Sequence, residues 1–351
     1  MAGGIGSRFW PMSRAGYPKQ FLDILGMGRT LIQSTYDRFM HFIPNENIYV
    51  VTTQQYQSIV AEQLPDLLPQ NIICEPSRKN TAACVAYISF KLQRLNQKAN
   101  LICAPADHLI LDNTAFIKVS LEALDFTAKH NALLTLGVKP TYPNTGYGYI
   151  QYEEQSVTDN IYKLKTFTEK PDLELAKTFI ASGDFLWNAG IFVWQTNSII
   201  RSFEKYMPEM YELFDAAKEA LNTRLEFSAI EEIYPQCVNM SIDYGIIEKA
   251  DNVYVIPSSF GWSDLGTWAS TYDNLEKDYL LNAVTGDNVM VFDASKNIIH
   301  ANNKKLVVIQ GLEDFIVVDT KDVLLICKKN KEQEIKEYVA EVKRNKGEKY
   351  L

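Results

Sequence analysis

The residues richest in possible chemistry open the sequence. Gly3, Gly4 and Gly6 lie within four positions, and Arg8, Arg14 and Lys19 add three cations within a dozen. Glycines let backbone N–H groups approach a phosphate closely, and fixed cations compensate its charge. The segment therefore suits a small polyanion. It is not a P-loop, which needs Gly-Lys followed by Ser or Thr, and Phe9 stands where the third glycine of a dinucleotide fingerprint belongs. A loose, glycine-rich terminus with a solvated basic face is the competing reading of the same letters.

Two carboxylates come next. Asp107, in Pro105-Ala106-Asp107-His108, directly follows the apolar run Leu101-Ile102-Cys103-Ala104. A carboxylate at the carboxyl end of a sheet strand is well placed for Mg²⁺, which takes one or two carboxylates and completes its shell with phosphate oxygens. Asp264, in Phe260-Gly261-Trp262-Ser263-Asp264-Leu265-Gly266-Thr267-Trp268, is the second candidate. Each of these aspartates could equally cap a helix. His108 reads as a hydrogen-bonded structural histidine, since imidazole is a soft choice for Mg²⁺. Glu169-Lys170-Pro171 offers a hydroxyl acceptor beside a cation. Asn144 to Tyr149 and Trp187-Asn188-Ala189-Gly190 supply amides, small residues and aromatic planes of the kind sugars pack against, although tight turns use the same residues.

These groups need a scaffold. From about Thr30 to Phe192, short β-rich runs (Ile48 to Thr52, Asn71 to Cys74, Asn100 to Ala104, Leu133 to Val138) alternate with helical spacing such as Val85, Ile88, Leu92 and Leu95. That alternation predicts an α/β, Rossmann-like, mostly parallel mixed sheet with sites at the carboxyl ends of its strands. The texture changes after about Leu280. Val289 to Phe292, Leu306 to Gln310, Phe315 to Val318 and Val323 to Cys327 are short, regularly spaced strands, followed by a helix with Ile335, Tyr338, Val339 and Val342 on one face. The division expected is residues 1–275 for the catalytic domain and 276–351 for a small C-terminal β-domain with a closing helix. The strand spacing is compatible with a few coils of a β-solenoid, in the form of a short left-handed β-helix. A glycine-rich phosphate turn ordinarily follows a buried strand. Here Met1-Ala2-Gly3-Gly4 opens the sequence, so either the start lies several residues off or the loop is held another way.

Composition narrows the field. The 351 residues carry 35 Lys plus Arg against 43 Asp plus Glu, a net charge of -8, with 46% hydrophobic residues. That is ample for a large core, and it argues against massed basic binding of nucleic acid. Apolar runs such as Val323 to Cys327 fall far short of the ~18 residues of a membrane span. The five cysteines show no C-x-x-C spacing and no signal peptide is expected, so the protein reads as cytoplasmic, with reduced thiols.

Taken in order, the basic glycine-rich opening, Glu75 to Thr81, Pro105 to His108, Gly146-Tyr147-Gly148, Glu169-Lys170-Pro171, Asn188-Ala189-Gly190 and Gly261 to Asp264 resemble the motifs of the sugar-1-phosphate nucleotidyltransferases. Phe9-Trp10-Pro11-x-Ser13-Arg14, Pro18-Lys19-Gln20-Phe21 and Trp262 to Trp268 are similar to the mannose-1-phosphate guanylyltransferase branch. Each motif alone is weak; the ordered set is specific. The resemblance runs from residue 1 to about 270 and extends to the β-domain.

It implies a GTP triphosphate cradled by Gly3, Gly4, Gly6, Arg8 and Lys19, with Asn80 and Thr81 toward the base. It implies Mg²⁺ on Asp107 and Asp264, and mannose 1-phosphate held by Gly146, Glu169, Lys170 and Asn188. Arg8, Lys19, Asp107 and Asp264 would be the catalytic set, in a homodimer. The sequence stops well short of a fused isomerase domain, so the one-activity form is expected. Transfer of another nucleotide to another sugar phosphate, and a non-catalytic subunit that senses nucleotide sugars, are the alternatives. The metal carboxylates speak against the second, and the broken fingerprint against a nicotinamide dehydrogenase.

Overall fold

The computed structural model describes residues 1–4, 6–301 and 304–351. The apolar runs form the expected strands. β1 (Val50–Thr53) and β2 (Ile72–Glu75) pair in parallel, Val50 opposite Ile72. They are followed by β3 (Asn100–Cys103), β4 (Leu109–Ile110), β5 (Leu133–Val138), β6 (Gly148–Thr158), β7 (Ile161–Glu169), β8 (Phe185–Gln195), β9 (Val253–Ser258) and β10 (Trp262–Ser263). Six of these form a mixed sheet in the order β3-β8-β5-β9-β7-β6, while β10 pairs with β4.

Parallel neighbours are fewer than the strand–helix alternation suggests. β3, β5 and β9 run in one sense, but β8 lies antiparallel between β3 and β5, and β7 antiparallel to β9. The cause is the β6–β7 hairpin, whose tight turn at Asp159 and Asn160 reverses the chain before it continues to β8. The far half of β6 is exposed and polar, so no apolar alternation marks it as a strand.

Helices cover the sheet. α1 (Leu31–Met40) starts with a capping box, in which Thr30 accepts from Gln33 N while Gln33 accepts from Thr30 N. α2 (Gln57–Gln63) is short, and α3 (Asn80–Leu95) is buried along most of its length. α4 (Asn113–Lys129) is capped by Asp112, which accepts from Ala115 N at 2.9 Å. Asp107 is therefore not a helix cap. Neither is Asp264, because Thr267 caps the helix Trp268–Asn274.

The C-terminal strands stack as coils. β11 (Ala283–Thr285), β12 (Val289–Phe292), β13 (Ile298–Ala301), β14 (Val307–Gln310), β15 (Phe315–Asp319) and β16 (Leu324–Lys328) form two ladders. β11, β13 and β15 are parallel neighbours, as are β12 and β14, while β16 turns back antiparallel on β15. Buried asparagines hold the coils in register: Asn297 Nδ2 donates to Asn282 Oδ1 at 2.9 Å, and Phe315 N to Asn297 Oδ1 at 2.9 Å. The closing helix is Ile335–Lys346.

This solenoid braces the glycine-rich segment. Phe9, Trp10, Leu265 and Trp268 share one apolar cluster with Ile298, Ile316, Val318 and Ile335. Burying each such side chain stabilises by about 1.5–3 kcal/mol. The Trp10 indole N–H donates to Tyr350 O at 2.7 Å.

The opening residues are held by hydrogen bonds to both flanking strand segments. Met1 N donates to Ala104 O (2.8 Å), Ala2 N to Val51 O (2.8 Å) and Ala106 N to Met1 O (3.0 Å). Gln20 Nε2 then donates to Ala2 O and Gly4 O, and Thr52 Oγ1 to Ala2 O. These bonds tie Met1, Ala2 and Gly4 to the strand segments and to Gln20.

Candidate active site

Lys19 sits where these elements meet. It follows Pro18 in a single 3-10 turn, and its stem is buried, 4% exposed. Its Nζ donates to Asp107 Oδ2 at 2.9 Å and to the Asp264 backbone O at 2.6 Å. Gly6 makes room for it. Gly6 has φ of 64°, and a Cβ there would lie 2.4 Å from Lys19 Cβ. Only glycine meets both the left-handed conformation and the close approach.

The two carboxylates differ in their partners. Asp264 Oδ1 accepts from Tyr147 OH at 2.6 Å and from Gly266 N at 2.8 Å. Asp107 Oδ1 is 4.0 Å from His108 Nε2. Among the described residues, Asp107 Oδ1 and Asp264 Oδ2 accept no hydrogen bond. Each carboxylate so keeps one hard oxygen available, which fits a divalent cation that draws its remaining ligands from water and phosphate. No cluster of three His, Cys, Asp or Glu groups suited to a metal occurs among the described residues, so a self-sufficient protein cage is not what this pair offers.

The local electrostatics keep Asp107 charged. Burial pushes its carboxyl up, but the Lys19 ammonium more than offsets this and holds it below the usual value. His108 is held below its usual value by burial, against the opposing pull of Asp107 and Asp264. Trp262 Nε1 donates to His108 Nδ1 at 3.1 Å, so the neutral ring carries its proton on Nε2, toward Asp107. His108 is thus hydrogen-bonded through Nδ1 and held against Trp262.

A second cluster adjoins the first. Gly190, with φ of 66°, brings β8 against Pro105 and His108. Two positions before it, Asn188 Oδ1 accepts from Thr135 Oγ1 (2.9 Å) and Gly190 N (3.1 Å), while Nδ2 donates to Asp243 Oδ1 (2.8 Å). Glu169 pairs with Lys170 at 2.6 Å, and a Cβ on Gly148 would meet Glu169 Oε2 at 2.5 Å. The Tyr147 ring lies against Trp187 and Trp262, at 5.1 and 5.0 Å between centroids, and links this cluster to Asp264. Gly146 stands in an exposed Asx turn whose N–H donates to Asn144 Oδ1 at 2.7 Å.

The chain shares this architecture with known proteins. The nucleotidyl transferase family model matches residues 1–279, and the MannoseP isomerase/GMP-like beta-helix domain model matches residues 287–342. Mannose-1-phosphate guanylyltransferase of Salmonella montevideo is 37% identical over 98% of this chain and 73% of its own length. The enzyme of that name from Escherichia coli K12 is 35% identical over 98% of this chain and 72% of its own. The chain belongs to the mannose-1-phosphate guanylyltransferase family. The crystal structure of mannose-1-phosphate geranyltransferase from Thermus thermophilus superposes with a TM-score of 0.86 at 28% identity, covering 98% of each chain. The chain is a nucleotidyltransferase enzyme.

Of the sequence-predicted residues, Lys19, Asp107 and Asp264 are brought into direct contact through the Lys19 ammonium. Gly3 lies against the end of β2: a Cβ there would be 3.5 Å from Glu75 Oε2. Gly4 is exposed, and a Cβ there would meet open space. Asn80 and Thr81 start α3; Thr81 N donates to Asn80 Oδ1, and Ile242 N to Thr81 Oγ1. The buried Arg8 Nε has no hydrogen-bond partner among the described residues, while Arg8 lies near enough to Glu332 to stabilise its charged form.

Arg14 departs from the expected basic cradle. Its guanidinium donates to both oxygens of Asp322 and to Thr320 Oγ1. It is therefore a clasp to the solenoid.

Two acids escaped the sequence reading. Asp243, in a π-helical turn, is pushed up to about 6 by burial and then by Glu169. Glu75 is pushed up to about 7 by burial, although Tyr234 OH donates to it. Glu75 lay inside a recognised motif without an assigned role; Asp243 followed Ser241-Ile242, with no motif to mark it.

Proposed function

We propose that this enzyme transfers GMP from GTP to α-D-mannose 1-phosphate, giving GDP-mannose and pyrophosphate, with Mg²⁺ held by Asp107 and Asp264. The observation that carries the reading is the Lys19 ammonium bonded at once to the Asp107 carboxylate and the Asp264 carbonyl, beside the glycine loop.

The reaction joins an oxygen of the sugar phosphate to the α-phosphorus of the nucleotide and breaks the bond from that phosphorus to the bridging oxygen of pyrophosphate. The attacking oxygen is already anionic at neutral pH, so no general base is needed. The work is alignment to about 3–3.5 Å and relief of repulsion between two polyanions. Bound Mg²⁺ would supply charge neutralisation and a template for phosphate oxygens. Lys19 and Arg8 contribute positive charge, Tyr147 orients Asp264, and the locked amide of Asn188 with Glu169 and Lys170 receives the sugar phosphate. Asn80 and Thr81 flank the base side.

Pyrophosphate release tests the reading directly. Mannose 1-phosphate with GTP and Mg²⁺ should give release, whereas UTP, dTTP and ATP should give much less, and chelation should abolish it. Equal rates with all four nucleotides would overturn the guanylyl assignment.

A further inference from the structure

The turn that closes the solenoid reaches back toward the glycine loop. It is the 3-10 segment Lys329–Glu334, between β16 and the closing helix. Two of its side chains dock on the helix Trp268–Asn274, which follows the Asp264 loop. Lys329 Nζ lies 3.6 Å from the centroid of the Tyr272 ring, and Glu332 Oε2 accepts from Ala269 N at 2.8 Å. Burial pushes the half-buried Glu332 carboxyl above its usual value, while the Ala269 N–H, the Thr267 hydroxyl and the Arg8 guanidinium act against that rise.

Arg8 stands on the other side of that carboxylate. It belongs to the 3-10 turn Ser7–Phe9, anchored by the buried Phe9 ring, 5.0 Å from the Trp268 ring between centroids. Its Nε is buried and has no hydrogen-bond partner among the described residues. An unpaired buried donor is costly, so a force other than its own hydrogen bonds must keep this side chain in place. A carboxylate bonded directly to the guanidinium would occupy the donors that a phosphate needs. One held a little farther off, by Ala269 N, restrains the cation through charge and leaves its donors free.

We propose that Glu332 is a positioning residue for the transfer reaction: fixed by the helix that follows Asp264, it holds the Arg8 guanidinium toward the phosphates that the glycine loop receives. The inference rests on the nucleotidyl transfer proposed above. The solenoid thereby contributes a charge to the site as well as packing beneath it.

Glu332→Gln is the variant that tests this, because its amide oxygen can still accept from Ala269 N while the charge is gone. Pyrophosphate release from GTP with mannose 1-phosphate and Mg²⁺ should show kcat lower by about tenfold, less than the ~10² that a 1 Å misplacement of a reacting group costs. KM for GTP should stay within about twofold, and the urea midpoint should not move. In an Arg8→Ala background the same substitution should change kcat by less than about twofold, because residues that act through one another are not additive. Lys329→Met, in the same turn, should leave kcat within about twofold of the parent chain. A readout without turnover is proton exchange at Arg8 Nε–H, followed by nitrogen-15 NMR and assigned by its absence in Arg8→Ala. It should quicken by about tenfold in Glu332→Gln as the restraint is lost.

Parental kcat in Glu332→Gln, or unchanged Nε–H exchange, would overturn the proposal and leave Glu332 a hydrogen-bond acceptor for Ala269. A lower KM for GTP with kcat intact would also overturn it, since that is the result of a carboxylate that only repels phosphate. So would an equal loss in the Arg8→Ala background. Should the parent chain release no pyrophosphate with any nucleotide, the transfer reading fails, and the Nε–H exchange then decides the positioning by itself.

Discussion

Lys19 Nζ donates to the Asp107 carboxylate at 2.9 Å and to the Asp264 backbone carbonyl at 2.6 Å. One ammonium therefore fixes the distance between two acid-bearing segments far apart in sequence, and also offers positive charge where phosphates would meet. Lys19→Ala should lower kcat by about 10² to 10³, the loss typical of one transition-state charge partner. Steady-state kinetics decides the matter: a change confined to KM would remove Lys19 from the chemical step.

Tyr147 should act through Asp264. Its hydroxyl donates to Oδ1 at 2.6 Å and leaves Oδ2 available. Partners that orient a metal-binding carboxylate typically contribute about 10- to 100-fold in metal affinity or activity. Tyr147→Phe should raise the Mg²⁺ concentration for half-maximal rate by about tenfold, with KM for the nucleotide at saturating metal little changed. An unchanged metal titration would show the hydroxyl to be a packing feature.

How much of this was legible beforehand follows from the reach of each signal. Strands β1, β2, β3 and β5 show as compact apolar runs, and Lys19, Asp107 and Asp264 lie in motifs whose order is informative. Their convergence is a tertiary fact, carried by Lys19 Nζ. Asp243 stayed hidden because its role arises from Asn188 Nδ2 donating across 55 residues of chain. Arg14 misled because a basic side chain beside a glycine loop looks the same whether it faces phosphate or Asp322. β6 was missed because its outer half has no buried face to impose alternation.

Arg14 and Lys19 should accordingly differ when removed. The Arg14–Asp322 pair is partly exposed, with side-chain exposures of 21% and 35%. Such pairs contribute about 0.2–1 kcal/mol. Arg14→Ala should leave kcat within about twofold and lower stability by no more than that range, read by urea unfolding. A hundredfold fall in kcat would place Arg14 back among the phosphate ligands.

Gly6→Ala tests the backbone route to the same site. A Cβ at Gly6 would lie 2.4 Å from Lys19 Cβ, on a backbone whose φ of 64° already disfavours a side chain. Either Lys19 shifts away from Asp107 or the loop opens. Misplacing a catalytic group by about 1 Å costs on the order of 10² in rate. The expected result is that loss with near-normal far-ultraviolet circular dichroism. Full activity in the alanine variant would show that the loop relaxes without moving the ammonium.

Glu75 should make stability fall as pH rises through the acid range. Burial lifts its carboxyl from 4.5 to about 7 in the folded chain. Below the unfolded value both states hold the proton, so the group contributes no difference. Between the two values the folded state holds more protons than the unfolded one, so stability declines with rising pH, and above about 7 the full cost is present. A shift of this size corresponds to about 3 kcal/mol as an order of magnitude. Glu75→Gln removes the titration and keeps an acceptor for Tyr234 OH. Urea unfolding should therefore show the variant gaining on the parent chain between pH 5 and pH 8. A stability difference that stays constant over that range would mean that Glu75 titrates alike in the folded and unfolded states.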